Sequence, residues 1–196
     1  MRVIGLTGPI AAGKDEAAAA LKKIGALVID ADEIAHSLYQ PQSSLWHELV
    51  KAFGSKILMR GGKLNRHKLG EIVFSDKEKL QQLNKLVHPL LKEQIVKILE
   101  SRKLLPQSRQ KTVVINAAVL KEIGLIPLVD EVWVVMASRE SRIKRLFKSG
   151  LAKEEAARHV SIQASQKEYL ALADRVINND GTLKQLHAKI QAHLQV

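Results

Sequence analysis

Residues 2–16 run from an apolar stretch through a turn of small residues into a helix start, and few folds accommodate that succession. Arg2-Val3-Ile4-Gly5-Leu6-Thr7 reads as a short buried strand, Gly8-Pro9-Ile10-Ala11-Ala12-Gly13-Lys14 as the turn, and Asp15-Glu16 as the opening of an alanine-rich helix. The turn has the form G-x-x-x-x-G-K. Its low bulk lets successive backbone N–H groups face a phosphate, the helix N-terminus adds partial positive charge, and the Lys14 ammonium reaches the terminal phosphates. Two glycines and a lysine also fall at this spacing in ordinary strand–turn–helix units. The strand before and the helix after are what point to nucleoside triphosphate binding.

The residue after the lysine is unusual. A Ser or Thr hydroxyl normally stands there to bind Mg²⁺, and here the position holds Asp15. A carboxylate is also a hard oxygen ligand, so Asp15 is a candidate metal residue. It is equally explained as a helix-start acid favoured by the helix dipole. Both readings stand at this point.

A chain of 196 residues suits a single domain carrying a helical insertion. Cysteine is absent, which excludes disulfides, thiolate metal sites and cysteine catalysis and fits a reducing compartment. No apolar run approaches membrane length, so the expectation is a soluble, cytoplasmic protein without a membrane partner. Lys and Arg number 31 against 20 Asp and Glu, a formal net charge of +11. That balance favours polyanionic partners, which include nucleic acid and multiply phosphorylated small molecules, although a solvated basic surface explains much of it. Aromatic residues make up only 4% of the chain. Stacking platforms for single strands are therefore poorly supplied, which disfavours nucleic acid.

The first helix, about Asp15 to Ile24, carries Ala18, Leu21 and Ile24 at helical spacing, with Gly25 as its expected C-cap. Ala26-Leu27-Val28-Ile29 forms a second strand that ends at Asp30-Ala31-Asp32, before a helix bearing Ile34, Ala35 and Leu38. Strand, helix and strand in tight succession make a right-handed parallel unit whose ligands sit beyond the strands' carboxyl ends. Asp30 and Asp32 are thus expected on the same rim as the phosphate loop. From Gln40 to about Gln110 the periodicity is helical, with Pro89 expected to interrupt the last stripe and to bias His88 away from helical geometry. Pro106–Gln110 reads as a loop, Thr112–Ile115 as a third strand, Leu120–Ile126 as a short helix and Val132–Met136 as a fourth strand. A basic helix follows over Ser138–Lys148, with Arg139, Arg142 and Arg145 every three residues, and another over about Lys153–Gln163. Val176-Ile177 is a brief fifth strand, and Leu183, Leu186, Ile190 and Leu194 mark a terminal helix.

These residues together resemble the dephospho-CoA kinases over essentially the whole chain. The resemblance rests on Val3–Gly8 with Gly13-Lys14, on Val28-Ile29-Asp30-Ala31-Asp32 followed by Ile34-Ala35-His36, and on Gly62-Lys63-Leu64-Asn65-Arg66 with Leu69 and Phe74. Leu83-Asn84 with His88-Pro89-Leu90, Arg142 to Arg145, and Ala173-Asp174 with Val176-Ile177-Asn178 complete it. It implies an α/β P-loop kinase fold with a five-stranded parallel sheet, a helical substrate-binding insertion and a basic helical lid. The whole forms one domain, with core about 1–39, 111–138 and 174–196, insertion about 40–110 and lid about 139–173. It implies ATP-dependent phosphorylation of the ribose 3′-hydroxyl of dephospho-CoA, with ATP and Mg²⁺ as the cofactors. By the same resemblance Gly8 to Lys14 and Asp15 hold the nucleotide, with Asn178 near its adenine. Asp32 faces the acceptor hydroxyl, Arg142 and Arg145 close on the phosphates, and Asp30, Arg66 and His88 lie on the substrate side.

Structural roles compete with several of these. Asp32 stands where a helix N-cap belongs, ahead of Glu33-Ile34. His88 fits a hydrogen-bonding residue at a helix break, and the arginine face fits a solvated helix. The chain also departs from the family's pattern: Pro9 occupies a loop glycine position, Ala118-Val119-Leu120-Lys121-Glu122 stands for Pro-Leu-Leu-Phe-Glu, and Ser149 falls where a further arginine belongs. Two other readings accommodate the phosphate loop. One is a related kinase with a nucleoside or phosphorylated metabolite as acceptor, and the other is a nucleotide-binding regulator without catalysis.

Overall fold

The computed structural model describes residues 1–103, 111–162 and 166–194. The loop expected over Pro106–Gln110 and the helix end expected at Gln163 lie outside them. The chain divides into two units, one made of Met1–Ile29 with Leu105–Val196 and the other of Asp30–Leu104.

The first unit is built on strands β1 (Arg2–Thr7), β2 (Leu27–Asp30), β3 (Thr112–Asn116), β4 (Glu131–Met136) and β5 (Arg175–Asn178). They form one five-stranded parallel sheet in the order β2-β3-β1-β4-β5. Val3 lies opposite Val113 and Ile4 opposite Val114, while Val134 lies opposite Val176. A parallel sheet covered on both faces needs apolar residues at consecutive positions, and that is why β1, β3 and β4 read as unbroken apolar runs. Helices α1 (Lys14–Lys23) and α9 (Leu183–Leu194) pack against each other. They bury Leu21, Leu186 and Ile190 with Ile4, Leu6, Val114, Trp133 and Ile177. Each such side chain contributes about 1.5–3 kcal/mol by leaving water. Ile24 caps α1 and Gly25 follows it with φ 96°.

The start of the sheet is stitched by Glu131. Its carboxylate accepts from Arg2 Nε at 2.6 Å, Arg175 Nε at 2.8 Å and Trp133 Nε1 at 3.0 Å, and so links the first residues of β1, β4 and β5. Partial burial pushes the Glu131 carboxyl upward, but the bonds from Trp133, Arg175 and Arg2 outweigh it and leave the pKa lowered.

Helices α6 (Arg139–Lys148) and α7 (Lys153–Ile162) pair in this unit, and α8 (Gln166–Leu172) packs on β4. The last of these was not anticipated from the sequence. Leu120–Ile126, expected as a helix, is instead a series of turns leading into a 3₁₀ turn over Ile126–Leu128. Pro127 lies within that turn and the hydrogen bonds are local, from Gly124 N to Lys121 O and from Leu125 N to Leu120 O.

The second unit is helical: α2 (Ala31–Leu38), α3 (Ser44–Phe53), α4 (Arg66–Phe74) and α5 (Lys77–Lys103). Leu45, Leu49, Phe53, Ile57, Leu69, Val73 and Val87 form its core. Two expectations are corrected here. The N-cap of α2 is Asp30, whose Oδ1 accepts from Asp32 N at 2.9 Å and Glu33 N at 3.1 Å. The capping role considered for Asp32 therefore falls two residues earlier, and Asp32 is a first-turn residue. Pro89 does not interrupt α5, which continues through it and keeps His88 helical. The buried stripe Val87, Leu91, Ile95 and Leu99 outweighs the lost hydrogen bond, and Pro89 itself is on the exposed face.

Candidate active site

The phosphate loop is shaped by what lies behind it. A Cβ on Gly8 would stand 2.3 Å from the carbonyl oxygen of Val135 in β4, so the close approach of loop and strand requires glycine. Gly13 has φ 97° and a Cβ there would meet Asn179 Nδ2 at 2.1 Å. Pro9 O accepts from Ala12 N at 3.1 Å, which closes the turn that Pro9 begins. Helix α1 starts at Lys14 with no side-chain cap. Its N-terminal dipole therefore faces the loop without a competing side-chain acceptor.

Arg142 and Arg145 reach this loop from α6. Arg142 Nε donates to Ile10 O at 2.8 Å, and Arg145 Nη1 donates to Ala11 O at 3.0 Å and Ala12 O at 2.9 Å. In a trans peptide the following N–H points opposite to the carbonyl. Holding these carbonyls to the arginines thus turns the N–H groups of Ala11 and Gly13 to the other side of the loop. Arg145 Nη2 also binds Asn179 O, and Asn179 Nδ2 donates to Ala12 O at 2.8 Å. Ile10 and Ala11 pack against the cluster of Leu146, Ala156 and Val160, so α6 and α7 clamp the tip of the loop. Burial pushes the Arg142 pKa down, partly offset by Tyr169.

Lys14 has a defined place. Its Nζ lies 2.8 Å from Asn116 Oδ1 and 2.8 Å from Asp15 Oδ1, and Asn116 Nδ2 donates to the same Asp15 oxygen at 3.1 Å. Asn116 is 1% exposed at the end of β3. Partial burial pushes the Asp15 carboxyl upward, but hydrogen bonds from Lys14 and Asn116 and the Lys14 charge leave its pKa lowered. Neither Asn116 nor Asn179 was singled out from the sequence. Their one signal was position, since both stand where a parallel strand reaches its carboxyl end. Asn178 is exposed, and its backbone oxygen accepts from Lys189 Nζ at 2.6 Å.

A cavity of about 350 Å³ in the same unit is lined by Thr7, Ala118, Leu120, Glu122, Glu168 and Tyr169 among others. Thr7 Oγ1 donates to Ala118 O at 3.1 Å and ties the cavity wall to the end of β1. Burial raises the Tyr169 hydroxyl, with Glu122 adding to the shift.

In the helical unit, Arg66 Nη1 donates to His36 Nδ1 at 3.2 Å, and Asp32 and Arg66 both act electrostatically on Tyr39. The structure therefore brings His36, Tyr39 and Arg66 to one pocket. His88 is half-buried within α5, and Asp30 is the α2 cap.

The model of the dephospho-CoA kinase family matches residues 2–185. The chain belongs to the dephospho-CoA kinase family. A relative from Geobacillus kaustophilus named dephospho-CoA kinase is 38% identical over 193 residues, covering 98% of this chain and 94% of that protein. Among solved structures, TT1252 from Thermus thermophilus superposes with TM-score 0.81 at 31% identity, covering 99% of this chain and 96% of that one. The dephospho-CoA kinase from Campylobacter jejuni superposes with TM-score 0.69 at 27% identity, covering 100% and 96%. The matched span takes in the phosphate loop, the Asp30–Asp32 strand end and the α6 arginines of this family member.

The donor set at the loop is compatible with Mg²⁺ accompanying the nucleotide. No group of three His, Cys, Asp or Glu gathers to hold a metal among the described residues. Asp15 adds one carboxylate, and both of its bonds from Lys14 and Asn116 go to Oδ1.

Proposed function

We propose that the chain transfers the γ-phosphoryl group of ATP to the ribose 3′-hydroxyl of dephospho-CoA, giving coenzyme A and ADP. The family match over residues 2–185, with a formed phosphate loop inside it, carries this reading. The acceptor oxygen attacks the γ-phosphorus, the bond to the β–γ bridging oxygen breaks, and the hydroxyl proton passes to the carboxylate that orients it. Phosphoryl transfer asks for positioning and charge neutralisation rather than covalent work from the protein.

Asp32 is the carboxylate assigned to the acceptor hydroxyl. Its support is its place in the first turn of α2 and the transfer of the capping role to Asp30. Lys14 neutralises the transferring phosphate, and the loop N–H groups that the arginines turn away from their carbonyls, those of Ala11 and Gly13, cradle the chain of phosphates. Arg142 and Arg145 act by fixing the loop's carbonyls, so their contribution is the loop's shape. Asp15 would hold Mg²⁺, which when bound supplies charge neutralisation at the phosphate oxygens. Asn178 flanks the nucleotide, while Asp30, Arg66 and His88 serve the acceptor side. The core at about 1–39, 111–138 and 174–196, the insertion at about 40–110 and the lid at about 139–173 are the corresponding division of labour.

ATP consumption with dephospho-CoA and with a panel of nucleosides, for the parental chain and Asp32→Asn, tests the reading. Asn keeps the shape and loses the charge, so ATP binding should persist while transfer falls roughly 10²- to 10⁴-fold. Parental turnover on nucleosides but not on dephospho-CoA would contradict the acceptor, and undiminished transfer by Asp32→Asn would contradict the assignment of the carboxylate.

A further inference from the structure

Asn116 joins the phosphate loop to the sheet through a closed triangle of side chains. Its Oδ1 accepts from Lys14 Nζ at 2.8 Å, its Nδ2 donates to Asp15 Oδ1 at 3.1 Å, and Lys14 Nζ donates to the same Asp15 oxygen at 2.8 Å. All three residues belong to one unit. The partners fix the orientation of the amide. An ammonium has no acceptor, so the amide oxygen faces Lys14, and an ionised carboxylate has no donor, so the amide nitrogen faces Asp15. Two of the three Lys14 donors are thereby placed, and the third is left to a phosphate oxygen.

The backbone that carries Asn116 is equally fixed. Asn116 ends β3 opposite Leu6 of β1, Ala117 N donates to Leu6 O at 3.0 Å, and Thr7 Oγ1 donates to Ala118 O at 3.1 Å. Asn116 is 1% exposed, whereas the Asp15 side chain is 79% exposed. The rigid member of the triangle is therefore Asn116, and it determines where the other two sit. An oxygen in place of Nδ2 would set a second carboxylate against Asp15 Oδ1, where each would disfavour the other's charge. P-loop enzymes commonly hold Mg²⁺ with a hydroxyl after the lysine and the carboxylate of a separate Asp. Here the residue after the lysine is the carboxylate, and the strand-end residue bonded to it is a neutral amide. Both arrangements carry one carboxylate, at exchanged positions.

We propose that Asn116 is a positioning residue that holds the Lys14 ammonium and the Asp15 carboxylate for the phosphates and their metal, and that Asp15 and Asn116 are an exchanged pair in which the helix start, rather than the strand end, carries the negative charge. The inference rests on the loop binding ATP with Mg²⁺ and is independent of which acceptor is used.

The test titrates ATP by calorimetry without acceptor, in excess EDTA and at graded Mg²⁺, for the full chain and for Asn116→Asp, Asp15→Ser and the double variant Asp15→Ser/Asn116→Asp. Asn116→Asp should weaken Mg²⁺-free ATP binding roughly 10- to 100-fold, because it adds a charge beside the phosphates and removes the bond that orients Asp15. Asp15→Ser should flatten the response to Mg²⁺. The double variant carries a single carboxylate again, so its Mg²⁺-free affinity and its Mg²⁺ response should both return to within about threefold of the parental values. Melting midpoints separate positioning from packing. If Asn116 only filled the core, Asn116→Asp would lose stability and ATP affinity together, and adding Asp15→Ser would restore neither. Losses that multiply in the double variant, or a Mg²⁺ response unchanged in Asp15→Ser, would overturn the proposal. Asn116→Ala adds no charge and decides the matter if the aspartate variants fail to fold: a loss of ATP affinity of about tenfold supports positioning, and unchanged affinity refutes it. A parental chain that does not bind ATP would refute the loop reading and the proposal together, whereas multiplying losses in a chain that does bind it refute the proposal alone.

Discussion

Lys14 lies between the buried Asn116 amide and the Asp15 carboxylate. Replacing it by Ala removes the point charge aimed at the transferring phosphate, and kcat/KM should fall about 10²-fold or more with the melting midpoint nearly unchanged. Near-parental turnover by Lys14→Ala would remove the loop from the mechanism. Asp15 brings a negative charge to the same place, and its pairing with Lys14 offsets the repulsion that ATP would otherwise meet. Bound Mg²⁺ would turn that charge into an attraction, so ATP affinity should rise more steeply with Mg²⁺ in the parental chain than in Asp15→Ser. Superimposable titrations would leave Asp15 as a helix-start acid. Its lowered pKa means that the charge is present at all pH values above the unfolded value of 3.8 and is lost only below it, so Asp15 itself should add no pH dependence to the difference between the two chains over about pH 6 to 8. The loop and Asp15 stood out in the sequence because spacing defines them. Asn116 and Asn179 did not, because a single amide at a strand end has no periodicity, and what they do depends on loop atoms about a hundred or more residues away.

The strands were readable for the same reason that they are stable: a sheet covered on both faces demands consecutive apolar residues, and β1, β3 and β4 supply them. Helix α5 was misread because proline's local preference is clear while the packing that overrides it is not. Helix α8 is only 7 residues long, less than two full turns of pattern. Glu131 shows how the sheet is fastened once formed, joining β1 and β5 to β4 through Arg2 and Arg175, whose guanidinium groups also lie 6.0 and 5.9 Å from the Trp133 ring. Glu131→Gln should cost about 1–3 kcal/mol in denaturant unfolding, since it weakens charge-assisted bonds to two arginines. The folded Glu131 pKa is lowered, so this contribution is present above the unfolded value of 4.5 and is lost as pH falls through the lower folded value. The difference between parental and variant stability should therefore shrink in that acidic window. A difference independent of pH would mean that the carboxylate's charge is not what holds the strands.

The whole chain carries a formal charge of +11, and both proposed substrates are polyanions. The excess charge therefore assists encounter with ATP and with dephospho-CoA. Among the described residues no helix is long and apolar enough to cross a membrane. One unit holds the phosphate loop with its arginine-fixed carbonyls, and the other holds Asp32 in the first turn of α2. The direct measurement is transfer of label from γ-labelled ATP to dephospho-CoA and to its 3′-deoxy analogue, with products separated and the phosphate located. Labelled coenzyme A from the first and no labelled product from the second is the expected result. Equal labelling of both, or ATP hydrolysis with no labelled acceptor, would contradict transfer to the ribose 3′-hydroxyl.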